Sequence, residues 1–215
     1  MNTQGMYDIS MSLCDQTPVW PSNERFKLRW LKNIKNDGVN ESSLSFNTHT
    51  GTHIDLPYHF IESGQRVNNL SLERLIGKTL VAEYEGKSDI DKNLLSKIDI
   101  SEDCNKLIFK TQNSKKYLEK NRFRKDYVAL SLDGARWIIE NGIDLVGIDY
   151  LSIEAYSNKE NETHKLLLEN NVIILEGIVL KSVEEGYYNL IALPLNILEA
   201  EAAPVRAALY KEGIL

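Results

Sequence analysis

"SLDGARWIIENGIDLVGID", residues 131–149, changes period in mid-course. Its first part carries a helical pattern that ends on Asn141-Gly142, a common C-terminal stop. Residues 144–149 are then a short apolar, β-branched run that predicts a strand. Further strands are expected at 79–85, 106–111, 126–131, 171–180 and 188–195. Helical patterns fall between some of them. Residues 71–77 open on a Ser cap, carry Glu73 in the first turn and close on Gly77. Residues 161–171 keep Leu166, Leu167 and Leu168 for a buried face, and 203–210 place Pro204 where a first helical turn tolerates it. Strands alternating with helices predict an α/β fold with a mixed sheet. The first 45 residues differ. They are turn-rich, and 29–46 has the Asn-Asp-Gly and alternating character of a hairpin, an arm that would pack against the sheet or a second subunit.

The 215 residues suit one domain over 1–215, with no internal repeat or Gly/Ser linker. A hydrophobic share of 42% and a charged share of 26% are ordinary for a soluble protein. The net charge of −6 argues against a nucleic-acid partner. The basic run at 116–125 reads as a solvated face. Cys14 and Cys104 form no CxxC pair, and two sparse cysteines suit a reducing compartment. No run approaches the roughly 20 apolar residues of a membrane span, and the N-terminus has no signal pattern, so a cytoplasmic protein is expected.

Three of the four histidines fall in "NTHTGTHIDLPYHF", residues 47–60. Gly51, Thr52, Ile54 and Pro57 argue against a helix there, and no HExxH pattern is present. In an extended chain His49, His53, Asp55 and His59 all occupy odd positions and share one face. A straight strand would still spread them over roughly 33 Å, so they converge only if the chain bends, with Gly51 and Pro57 as candidate bends. Imidazoles with a carboxylate form a divalent-metal donor set, and three histidines with an acid favour a metal or catalytic site over satisfied core histidines. His164 precedes an apolar run that contains one acid, Glu176. That acid is either paired or metal-bound, or it sits on an edge strand; the residues alone leave both readings open.

The stretch "HTGTHIDLPYHF" resembles the HxGTHxDxPxHF signature of the cyclase-like metal-dependent hydrolases, which include the bacterial kynurenine formamidases (arylformamidases). Residues 8–21, 147–154, 164–180 and 190–209 are similar to other segments of that family, with His164 and Glu176 spaced as the family spaces them. The resemblance implies a swivelling α/β/α-type domain, usually a homodimer or larger, and a two-zinc centre. His49, His53 and Asp55 would hold one zinc. Asp55 would bridge to a second, held by His164 and Glu176, and His59 would be the acid/base. Isatin-hydrolysing members are similar in ligands but use manganese. Formamidases follow "GID" with Thr-Pro-Ser and Asp-Pro, where this chain has Tyr150, Leu151, Ser152 and then Glu154-Ala155; that departure bears on the substrate.

The expected function is therefore metal-dependent hydrolysis of an amide C–N bond in a small-molecule substrate, N-formylkynurenine first, with a cyclic amide or lactone as the alternative. Trp20 and Tyr150 are candidates for an aromatic wall. A non-enzymatic metal-binding or metabolite-sensing module is disfavoured, since structural zinc sites are usually cysteine-rich and none lies near the motif. A serine hydrolase is disfavoured by the lack of a GxSxG elbow.

Overall fold

Short apolar strands bury best when both faces of their sheet are covered, and this chain is built that way. The computed structural model describes residues 2–3, 5–116, 123–211 and 213. Its strands are β1 (Asn2–Thr3), β2 (Met6–Asp8), β3 (Lys27–Lys32), β4 (Glu41–Ser45), β5 (His53–Asp55) and β6 (Ile76–Tyr84). The second half adds β7 (Lys106–Thr111), β8 (Leu145–Ile148), β9 (Ile173–Glu176), β10 (Gly186–Pro194) and β11 (Ala202–Tyr210). The helices are α1 (Ile34–Asp37), α2 (Lys92–Leu95), α3 (Gln112–Lys116), α4 (Leu132–Glu140) and α5 (Glu162–Glu169).

Strands β6 to β9 pair in parallel, while β5, β10, β11, β2 and β1 join antiparallel, so the sheet is mixed as expected. Strand β5 pairs with β9 on one side and β11 on the other. That second pairing closes the run from β11 through β10, β6, β7, β8 and β9 to β5 into a barrel-like ring. Alternation then sorts the side chains. Val81, Ile108, Leu145, Leu175 and Leu190 fill one core, inside the ring. Their neighbours Leu80, Leu107, Phe109, Val146 and Ile174 face outward, where α4 and α5 cover them with Ala135, Ile138, Leu167 and Leu168.

Strands 79–85, 106–111, 144–149 and 188–195 form close to their expected bounds, as do the helices at 131–142 and 161–171. The arm is a hairpin: β3 and β4 pair as a separate two-stranded sheet. Its tip is the helical turn α1, capped by Asn33, which accepts from Asn36 N at 3.1 Å, and stopped by Gly38 at φ 73°.

Four expectations are corrected. Residues 203–210 are not a helix but most of β11. Ala203, Val205, Ala207 and Leu209 enter the core at a period of two, and ladders on both sides outweigh alanine's helical propensity. Residues 126–131 form no sheet strand, although 127–130 are buried; Leu130 makes an isolated bridge, to Ile90. Their backbone is satisfied by the Asn113 side chain and by Ile90 and Ile153. Residues 71–77 form only a 3-10 turn, Leu72–Leu75, before β6 takes over. The strand expected over 171–180 stops at Glu176, because Gly177 turns left-handed at φ 67°. Of the basic run 116–125, residues 117–122 lie outside the described residues.

Gly177 also touches Gly51 backbone to backbone: a Cβ on Gly177 would lie 2.1 Å from the Gly51 carbonyl oxygen. Gly142 has the same φ of 67° but open space around it. Gly142→Ala should therefore cost only the backbone strain, about 1–3 kcal/mol. Gly177→Ala should cost that and about 1–3 kcal/mol more for the clash. Urea unfolding of both variants checks this, and equal losses would mean that the Gly51–Gly177 contact imposes no constraint.

Candidate functional site

The site is laid out by one strand register. In the antiparallel pair β5–β9, His53 stands opposite Glu176 and Asp55 opposite Ile174. Ile54 and Leu175 point into the ring core, so His53, Asp55 and Glu176 emerge together on the other face. The chain bends at both expected positions. Gly51 adopts φ 72°, and Pro57 opens a 3-10 turn, Pro57–His59. These bends return His49 and His59 over the strand, their rings 4.4 Å apart between centroids. His164 arrives from the first turn of α5.

The predicted residues thus converge. Asp55 Oδ1 lies 2.9 Å from His49 Nδ1 and 3.5 Å from His53 Nε2. Glu176 reaches His53 Nε2 at 3.4 Å through Oε2 and His164 Nε2 at 3.1 Å through Oε1. His164 Nε2 is 3.9 Å from Asp55 Oδ2. Two groups offer donor atoms all within 4.8 Å of one another: His49, Asp55 and His59, and His53, Asp55 and Glu176. Asp55 belongs to both.

The donors fit an ion. His53 Nδ1 donates to the Gly51 carbonyl at 2.9 Å, which leaves Nε2 as the lone-pair nitrogen aimed into the site. That Nε2 is buried without a hydrogen-bond partner, and so is Asp55 Oδ1, whose approach to His49 is close but not aligned as a hydrogen bond. Each buried unsatisfied polar atom costs about 1–3 kcal/mol; a divalent cation between them would satisfy both.

Charge is concentrated here. Burial opposes protonation of His49, but Asp55 and Glu201 outweigh it and raise its pKa to about 10. Burial likewise opposes charge on His164, and Glu154 and Glu176 raise it to about 10. His59 moves the other way. Burial, with the nearby His49 and His164, lowers its pKa against the pull of Asp55. Burial would push up both carboxylates, yet His49 and His53 hold Asp55 low, and His164 and His53 hold Glu176 low.

A cavity of about 220 Å³ opens on this face. Trp20, Phe60 and Leu151 line its apolar side, and Asn158 and Asn161 its polar side. Of the two aromatic candidates, Trp20 is in the wall. Tyr150 is behind it, fully buried, stacked on Tyr127 at 4.2 Å, with its hydroxyl donating to the Arg124 carbonyl at 2.8 Å. Leu151, Ser152, Glu154 and Ala155, where the chain departs from the formamidase pattern, all face the cavity. Two acids escaped the sequence reading as site residues. Glu201 accepts from Thr48 Oγ1 at 2.7 Å and stands 3.2 Å from His49 Nε2, and the His49 contact lowers its pKa to about 2. Glu154 is buried with Oε2 2.7 Å from His164 Nδ1. Its one sequence signal is an acid inside the apolar stretch 150–155.

The sequence model of the cyclase family matches residues 7–155. Cyclase-like protein 3 of Arabidopsis thaliana is 37% identical over 216 residues, covering 96% of this chain and 79% of its own. A kynurenine formamidase of Bacillus anthracis is 34% identical over 210 residues, covering 97% and 99%. A solved structure described as a potential metal-dependent hydrolase with cyclase activity superposes with a TM-score of 0.83. It is 31% identical and covers 96% of this chain and 98% of its own.

Free imidazoles titrate near 6.5, so proton-linked stabilisation by His49 and His164 is complete below about pH 6.5 and fades as pH rises toward about 10. Ligation of a cation by these rings would require both to lose a proton. Uptake of a divalent ion by chelator-treated protein should therefore tighten as pH rises from 7 to 9, with release of protons. Calorimetry in buffers of different ionisation enthalpy reads this, and pH-independent uptake would contradict the charged histidines.

Proposed function

This chain belongs to the cyclase family, and from that premise we propose that it is a metal-dependent amidohydrolase cleaving the formamide of N-formylkynurenine to kynurenine and formate. One observation carries the reading: the buried, unpartnered atoms His53 Nε2 and Asp55 Oδ1 lie 3.5 Å apart, and Asp55 lines a cavity walled by Trp20. His49, His53 and Asp55 would hold one zinc, and Asp55, His164 and Glu176 a second. Ions bound there would supply an acidified water, with pKa about 7, and polarise a carbonyl.

The chain's own residues do the rest. Trp20, Phe60 and Leu151 pack on the aryl ring, while Asn158 and Asn161 offer hydrogen bonds to the polar end of the substrate. His59 takes the proton of the attacking water and returns it to the leaving nitrogen. Its lowered pKa leaves it neutral at pH 7, ready to start as base. His49, His53 and His164 each have a carboxylate within 3.5 Å; His59 is held instead by the Phe60 and His49 rings, which suits a group that moves protons.

The hairpin leaves Trp30 62%, Ile34 66% and Leu44 57% exposed. It also carries Lys27, Arg29, Lys32 and Lys35 against Asp37 and Glu41, in a chain of net charge −6. An apolar, cationic arm on an acidic body is complementary to a second copy, which supports a homodimer or a larger homo-oligomer. Both cysteines are free, which suits a cytoplasmic location. No helix among the described residues is long and apolar enough to cross a membrane.

His59→Ala should keep its metal and lose about 10²–10⁴ in kcat; a fully active variant would remove the acid/base role. Chelation should abolish formamide hydrolysis, and zinc should restore it. Hydrolysis of isatin but not of the formamide, with manganese restoring best, would select the cyclic-amide alternative. Trp30→Asp should shift the protein from dimer to monomer in light scattering, and an unchanged mass would exclude the hairpin from the interface.

A further inference from the structure

Helix α5 begins without a cap of its own. Its N-cap residue, Asn161, sits at φ 55° and makes no side-chain cap bond. The orphan N–H groups of the first turn go instead to Glu154, seven residues upstream of that cap. Glu154 Oε1 accepts from Thr163 N at 2.8 Å and Asn158 Nδ2 at 2.6 Å, and Oε2 accepts from His164 N at 3.4 Å. The same Oε2 lies 2.7 Å from His164 Nδ1. One buried carboxylate therefore starts the helix and holds the ring of its third residue.

We propose that Glu154 is a positioning residue: by accepting from His164 Nδ1–H it fixes the tautomer and place of that ring, and so creates the second metal site. The inference rests on the paired-metal reading above. An ionised carboxylate can only accept, so Nδ1 must carry the proton. Nε2, which faces Glu176 Oε1 at 3.1 Å, is then the atom left to ligate. Glu154→Gln separates the two duties. The amide oxygen can still accept from Thr163 N and Asn158, and only the long 3.4 Å bond from His164 N is lost. The amide NH₂ would face Nδ1, turn it into an acceptor and move the proton to Nε2, where it blocks ligation.

Zinc titration of chelator-stripped wild type, Glu154→Gln and Glu154→Asp tests this, with melting of the ion-free proteins and long-range ¹H–¹⁵N spectra of the histidines. The wild type should take two ions. Glu154→Gln should bind the first as before and the second about 10–100-fold more weakly, with little change in melting. Its spectrum should show His164 with a proton on Nε2 and none on Nδ1. Glu154→Asp, which keeps a carboxylate, should recover most of the second affinity. Two ions bound equally well by Glu154→Gln, or a loss shared by both sites or tracking the melting temperature, would overturn the proposal. If Glu154→Gln does not fold, the wild-type spectrum decides: a His164 Nδ1 without its proton refutes the role. A wild type that takes no zinc, yet shows Nδ1–H lost only in Glu154→Gln, would instead refute the metal reading and leave Glu154 as the group that orients the ring.

Discussion

The pairing of β5 with β9 in a single register is the constraint on which the site depends. Because side chains alternate along a strand, a slip of β5 by one residue would send His53 and Asp55 into the ring core and bring Ile54 out. That exchange would bury an imidazole and a carboxylate in an apolar interior, so the register is strongly specified. The same alternation that packs the barrel thus gathers the donors on its outer face. Gly51 and Gly177 make the close approach possible at one end of the pair, and Thr52 locks it: its hydroxyl donates to the Gly177 carbonyl at 2.6 Å and accepts from Met11 N at 2.7 Å.

This arrangement works against stability when no ion is bound. Asp55 and Glu176 are both nearly sealed from water, and burial and mutual repulsion disfavour their charges. Protons on His49 and His164 neutralise them in part. Two buried polar atoms still lack partners, a condition native proteins rarely keep without a functional reason. The outer carboxylates Glu154 and Glu201 continue the pattern, each holding one histidine from behind.

Much of the fold was legible where local signals and tertiary packing agree. Helix α4 keeps its Asn-Gly stop and strand β7 its expected bounds, because period and burial point the same way there. The reading failed where they disagree. The alanines of 202–210 favour a helix in isolation, but the chain needs a strand to bridge β10 and β5, and the ring closes only through it. The run 126–131 is as β-branched and apolar as a strand, yet side-chain bonds from Asn113 take the place of a ladder.

The sequence alone determined which chemistry is available: alternation puts His53 and Asp55 on one face, and Gly51 and Pro57 mark the bends that bring His49 and His59 to it. It also carried His164 and Glu176 as companions by their resemblance to a family pattern. Only the tertiary structure decided how these groups meet. His53 faces Glu176 across a strand pair separated by more than a hundred residues of chain. Glu154 caps a helix that has no local cap, and Tyr150 withdraws behind the wall that Trp20 forms. Spacing along one segment fixes the direction of its side chains, because backbone geometry is local. Partners from distant segments are fixed by which strands pair and which core must be filled, and those depend on the whole chain.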